Sequence, residues 1–299
     1  MNYTKLSKNL VSFRFLFFAL ALCGTLFAAL ANSTAPARAA LQPPSPLYDG
    51  WVDRTDCSFI GGVALDESTP NVPINVDIYD GSMLIGTVPA DRFRRDLFDA
   101  GWENPYHGFL FQVPASVKNG KIHPISVKFG GTQLELTGSP NDIACNASLF
   151  ANSIPDTIAS GQGSSWEQGV EISSSMSGII TKVKFYRAAE ESPGGHYATI
   201  WNLSGQQLVR VPFVNEDPNP GAGWQYATVN LPITAGVRYR VTYNIKNYVA
   251  KTFNVFTNGP ITKGPLTAWR SYYGTPAGQF PLNSSTSNLF ADVVFNAPR

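Results

Sequence analysis

Histidine is scarce in this chain, and that bounds its chemistry. Only His107, His123 and His196 could act as imidazole bases, and a hydrolytic triad needs such a base beside a nucleophile and an orienting group. The sequence has no Gly-x-Ser-x-Gly elbow, no His-Glu-x-x-His pair and no glycine-rich phosphate loop opening a helix. His107 and His123 sit among strand residues and turn glycines, which points to structural roles. His196 precedes a strand, where it can pack internally or touch a ligand. Carboxylates are the remaining route to catalysis. A glycosidase needs two of them about 5 to 10 Å apart across a cleft. Asp53 with Asp56, or Glu216 with Asp217, are close in sequence, but loop acids of this kind are ordinarily just solvated. The expectation is a protein that is not an enzyme, with a glycan-active hydrolase as a lesser alternative.

Aromatic residues offer a different chemistry. Sugar rings present apolar C–H faces to Trp and Tyr, and ligand sites combine aromatic walls with a few placed polar groups. Trp269, Tyr272, Tyr273 and Phe280, with Arg270, Gln279 and Asn283 nearby, fall in a stretch from Asn258 to Ser287 rich in Gly, Pro, Ser and Thr. A loop of that length inside a compact domain is usually functional or disordered, and these aromatics could equally fold back to cap the core. With His196 they form the expected ligand-binding set. Trp201 and Trp224 lie within strand patterns and are expected in the core; Trp166 is open between the two.

The elements that must position these residues are strands. Pro73–Tyr79 alternates and Asp80-Gly81 turns it into Met83–Val88, a hairpin pattern. His107–Val113, Lys121–Phe129 and Gln133–Leu136 follow, punctuated by Asn119-Gly120 and Gly130-Gly131, with a helix-like turn over Ala90–Ala100. Farther on, Ile179–Tyr186, Tyr197–Trp201, Gln206–Val211, Trp224–Val229 and Arg238–Tyr243 read as strands between Gly and Pro turns. Regular strand spacing with turn chemistry predicts an all-β chain of two consecutive β-sandwich domains, the first immunoglobulin-like and the second jelly-roll-like. The expected boundaries are an extended lead-in at 40–47, a first sandwich at 48–148, a linker at 149–153 and a second sandwich at 154–299. Cys57 and Cys145 bracket the first and read as a disulfide. Closing a loop of nearly 90 residues would stabilise the fold by roughly 4–5 kcal/mol in the chain-entropy model.

The second half, from Trp166-Glu167-Gln168-Gly169 through Gly178–Arg187, Gly195-His196-Tyr197, Gly223-Trp224-Gln225 and Gly236–Tyr239 to Asn288–Phe295, resembles the domain of unknown function 4082 family. The resemblance implies a β-sandwich module of secreted, often modular bacterial proteins, and the family pattern also has a His at the position of His196. The first half, with Asp77–Gly81, Arg94–Leu97, His107-Gly108-Phe109, Pro114, His123 and Ser139-Pro140 before Cys145, resembles an uncharacterised β-sandwich module that accompanies that family. It departs from the pattern after Gly62, where Val63 replaces a tryptophan. Jelly-roll carbohydrate-binding modules hold structural calcium where their first and last strands meet. By that analogy Glu167 and Asp292 are a candidate calcium pair, with carbonyl oxygens completing the shell. The alternative is that each is satisfied by backbone N–H groups or a basic partner.

The N-terminus reads as an export signal over residues 1–39. Lys5, Lys8 and Arg14 precede the apolar run Phe15–Ala31, and Ala37-Arg38-Ala39 is an A-x-A cleavage site. Cleavage after Ala31 is the second choice. A run of about 17 to 20 apolar residues can also just span a bilayer, and Leu20-Ala21-Leu22-Cys23 approaches a lipoprotein signal except for the bulky Leu22. Past this segment no hydrophobic span follows, and 18 basic residues stand against 21 acidic ones, a net charge of −3. That balance gives no electrostatic footprint for nucleic acid and no polybasic membrane patch. The sequence thus points to a secreted or cell-surface binding or adhesion protein recognising extracellular glycan. The runner-up is a scaffolding protein that binds other surface proteins through sheet edges or apolar patches.

Overall fold

Period-2 alternation becomes strands almost throughout the computed structural model, which describes residues 47–160, 165–218, 223–274 and 276–297. The first half comprises β1 (Tyr48–Thr55), β2 (Phe59–Asp66), β3 (Asn75–Asp80), β4 (Met83–Pro89), β5 (Arg92–Phe93), β6 (Tyr106–Gln112), β7 (Ile122–Phe129) and β8 (Asn141–Ala147). A single-turn helix, α1 (Arg95–Asp99), lies within the expected helical turn. The second half comprises β9 (Thr157–Ser160), β10 (Trp166–Ser174), β11 (Gly178–Arg187), β12 (Tyr197–Asn202), β13 (Gln207–Pro212), β14 (Gly223–Ile233), β15 (Arg238–Ile245), β16 (Tyr248–Lys251), β17 (Ile261–Lys263), β18 (Leu266–Gly274), β19 (Asn283–Ser285) and β20 (Ala291–Ala297). The expected leader, its cleavage site and most of the lead-in lie outside the described residues. No helix among the described residues is long and apolar enough to cross a membrane.

The strands build a β-sandwich architecture in which one sheet serves both halves. Its order is β14-β11-β20-β8-β7-β3-β4. Against its β8-β7-β3-β4 portion packs the sheet β1-β2-β6-β5; against β14-β11-β20 packs β13-β12-β15-β10-β18-β17, with β19 added to β18. The pairings between these strands are antiparallel, an isolated parallel bridge joins Trp51 to Thr137, and the seam between halves is β20 on β8, with Phe295 opposite Ala147 and Ala297 opposite Ala144. The described residues accordingly form one compact unit.

The core divides inside β8. Ile143 and Cys145 face the first core, with Ile60, Ile78, Phe109, Val127 and Phe129. Ala144 and Ala147 belong to the second, with Val170, Ile200, Val241, Phe256 and Phe295. Alternation puts Ala144 on the face opposite Ile143 and Cys145, and the register shift against β20, with Asn146 at φ 59°, brings Ala147 to the second core as well. The 149–153 segment joins the halves in chain order, and its Leu149 and Phe150 are buried in the second core. The disulfide Cys57–Cys145 is formed, with the Cα atoms 5.6 Å apart, and ties β8 to the β1–β2 turn.

The aromatic-rich stretch from Asn258 to Ser287, expected to be a loop, contains three strands. Its central segment, Leu266–Gly274, is β18, paired with β10 along its whole length. Leu266, Ala268 and Ser271 are fully buried there. The flanking Gly and Pro residues hid an alternation that a bulge also interrupts. In the first half, the strand expected at Gln133–Leu136 reduces to a bridge between Lys128 and Glu135.

Candidate functional site

Two surfaces of one sheet carry the candidate residues, and β10 shows how they separate. Trp166, Gln168, Val170 and Ile172 point to the sandwich interior, while Glu167, Gly169, Glu171 and Ser173 point outward. A bulge between Glu171 and Ile172 sets Arg270 opposite Glu171 but Ala268 opposite Ile172. Trp269 is the extra residue, and a bulge re-aims such a side chain. Tyr272 then pairs with Gly169 and faces outward, whereas Tyr273 pairs with Gln168 and faces the interior end. The expected ligand set is therefore divided between two faces.

On the outer face the aromatics already have partners. Arg238 lies 3.4 Å above the Trp269 ring, whose Nε1–H donates to Ser173 Oγ at 2.9 Å. Arg240 lies 3.4 Å over Tyr272 and 4.3 Å from Phe280, and Phe280 also meets Trp201 edge-on at 5.8 Å. Glu171 bridges the two guanidiniums at 3.2 and 3.3 Å. Arg240 donates to Pro281 O, and Gly278 N–H donates to Glu167 Oε2 at 2.8 Å, so the residues around 278–281 are strapped over the sheet. Arg270 is exposed on this face. Burial pushes the Glu167 pKa up; hydrogen bonds from Thr242 and Gly278 and the charge of Arg210 pull against it without cancelling it.

His196 is elsewhere and fully buried. Its Nδ1 is 2.8 Å from Glu216 and its Nε2 3.1 Å from Glu191, while its ring packs on Phe185. Burial pushes its pKa down, but the hydrogen bonds and charges of the two glutamates outweigh that, and the net direction is up. Glu191 also accepts the backbone N–H groups of Lys246, Asn247 and Tyr248. The cluster pins three loops and offers nothing to a solvent-borne ligand.

The pairing that would join Glu167 and Asp292 is not formed: β10 pairs with β15 and β18, and β20 with β11 and β8. The two acids lie on different sheets, each with its own partners. Asp292 accepts from Leu149 N–H at 2.9 Å, Phe150 N–H at 3.0 Å and Val293 N–H at 2.8 Å, and its Oδ2 is 3.0 Å from Lys184 Nζ. These bonds tie the crossing between the halves to the last strand. Among the described residues no three His, Cys, Asp or Glu side chains gather where they could hold a metal ion.

At the interior end of the sheet lies a groove of about 510 Å³, within the range of ligand pockets. Five strands contribute to it: Ala159 and Ser160 from β9, Trp166 and Gln168 from β10, Val249 and Lys251 from β16, Tyr273 from β18 and Ser285 from β19. Phe253, Ser287 and Leu289 complete it. Trp166 and Tyr273 stack with centroids 5.5 Å apart and planes 21° from parallel. Gln168 Nε2 donates to Tyr243 Oη at 2.6 Å, which donates on to Leu289 O at 2.8 Å, fixing the floor. The Trp166 Nε1–H is buried without a hydrogen-bond partner among the described residues. Tyr273 was legible in the sequence as a ligand candidate and Trp166 as open; Lys251, Phe253 and the serines carried no local signal.

Fold and groove together define a β-sandwich protein with an aromatic-walled, ligand-sized recess and, among the described residues, no assembled triad or metal cluster. Residues 152–291, the second half, match the family model described as "Domain of unknown function (DUF4082)". Among curated proteins none matches the chain. Among solved structures it is similar to "Structure of infectious bursal disease virus Gt strain", at 10% identity and a TM-score of 0.22, covering 86% of this chain and 68% of that one. The Gx strain structure gives 11% identity and a TM-score of 0.21, covering 84% and 68%. At such TM-scores the likeness carries no argument about fold or function.

Proposed function

We propose that this is an exported, non-catalytic binding or adhesion protein of the cell surface or extracellular space. Its ligand is a polysaccharide or cell-surface glycan, held in the groove walled by Trp166, Tyr273 and Phe253. The observation that carries this reading is the stacked Trp166–Tyr273 pair beside serine hydroxyls and an amide in one open recess. The outer faces of the stacked pair leave an apolar surface for a sugar ring, and the polar groups around it suit its hydroxyls. A disulfide in the first half supports an oxidising compartment outside the cytoplasm. Calcium at Glu167 and Asp292 has no part in this reading, since both carboxylates already accept hydrogen bonds within the protein.

The test is a glycan array followed by titration of any hit. Trp166→Ala is expected to weaken binding by at least about tenfold, the order of 1.4 kcal/mol, while the far-UV spectrum is kept. Equal affinity of wild type and variant would remove the groove from the reading.

One observation favours a protein partner as a second reading. Phe93, Phe98 and Tyr106 are each about half exposed in the first half. Phe93 lies 6.0 Å from Phe98 and 5.5 Å from Tyr106, so they form one aromatic patch, and such patches mark interaction surfaces.

A further inference from the structure

The groove carries a single charged side chain, and its sign narrows the ligand. Among the described residues Lys251 is the one charged residue lining the recess, and no Asp or Glu lines it. Most buried or half-buried cations of the protein meet a carboxylate: Lys184 meets Asp292, Arg94 meets Asp53, and Arg238 and Arg240 share Glu171. No carboxylate lies within 4 Å of the Lys251 ammonium among the described residues; its Nζ instead sits 4.6 Å over the Phe253 ring. The ring supplies no carboxylate charge, so the N–H groups not turned toward it are open to an incoming acceptor.

With the hydroxyls of Ser285 and Ser287 on the same wall, the recess offers an ammonium and hydroxyls. The complement of that set is a ligand rich in acceptors, negatively charged, with an apolar face for Trp166 and Tyr273.

We infer that the groove takes an anionic glycan, its acid group at Lys251 and its sugar ring against the Trp166–Tyr273 pair. This inference rests on the glycan-binding reading and narrows it to a charge class. The acid could be a uronate carboxylate or a sulfate ester; a lysine ammonium serves both as a point charge.

The experiment uses the full chain and two matched probe pairs: oligogalacturonate with its methyl ester, and dextran sulfate with dextran of the same length. The anionic member of at least one pair is expected to bind at least about tenfold tighter than the neutral one, the preference shrinking as salt rises. Lys251→Gln is expected to bring that ratio to about one, and Lys251→Arg to restore it. Equal binding of charged and neutral members would overturn the inference while leaving glycan binding in place. A preference that survives in Lys251→Gln would overturn the role of Lys251. Failure of all four probes, together with silence on the glycan array, would remove both the inference and the reading beneath it.

Discussion

Tyr272 and Tyr273 are adjacent in sequence and have opposite fates. Tyr272 faces outward beneath Arg240, in a lattice where guanidiniums, aromatic rings and Glu171 contact one another, although the Arg240 Nε–H is buried with no hydrogen-bond partner among the described residues. Tyr273 faces the groove, stacked on Trp166. Both are half-buried aromatics on one strand. The difference is that the rings of the outer face are covered by the protein's own guanidiniums, while the groove is an open recess lined by Lys251. Aromatic content alone does not mark a candidate site; an aromatic wall left open beside a charge does.

The largest expected effect falls on the outer face. Arg240→Ala would remove two ring contacts, a strap to Pro281 and one of the two partners of Glu171. Breaking a buried ion pair typically costs about 3–5 kcal/mol. Because Glu171 keeps Arg238, about 2–3 kcal/mol is expected, read as a lower denaturation midpoint. Glycan affinity of the folded fraction should be kept. A variant as stable as wild type would break the claim that this face is structural.

A smaller effect follows from the His196 cluster. The His196 pKa is raised in the fold, so its contribution is whole below the ordinary histidine value of about 6.5 and is lost as pH rises through the folded value. Burial raises the Glu191 and Glu216 pKa values, but hydrogen bonds from His196, with backbone bonds at both and the His196 charge at Glu216, outweigh it and leave them lowered. Their contribution is whole above about 4.5 and fades as pH falls through the folded values. Stability owed to this cluster should therefore peak between about pH 4.5 and 6.5. Melting temperature across pH 3–9 in wild type and His196→Gln checks it: the variant should lose the decline on the alkaline side of that window.

Much of the fold was legible because alternation and turn chemistry are local. The Pro73–Val88 hairpin and the strands from Ile179 to Tyr243 follow from period-2 patterns and Gly turns, and the cysteine pair follows from parity. The continuous sheet was not legible, because β20 meets β8 across some 150 residues of sequence, as the bond from Asn146 N–H to Asn296 shows. The site was half legible. Tyr273 stood out by type, but its direction depends on the bulge at Trp269, which the partner strand sets and no local pattern reveals. Lys251 and Ser285 join the groove only through tertiary packing. Glu167 and Asp292 stood out as acids near the two ends of the second half, yet sheet order places them on different sheets with separate partners.

The most direct test of the central claim compares Tyr272→Ala with Tyr273→Ala by glycan titration and thermal melting of the same preparations. The account predicts that Tyr273→Ala loses about tenfold or more in affinity, equivalent to about 1.4 kcal/mol, with a small change in melting temperature. It predicts that Tyr272→Ala melts several degrees lower and binds as wild type does. Loss of binding in Tyr272→Ala with Tyr273→Ala unaffected would place the site on the outer face and contradict the account.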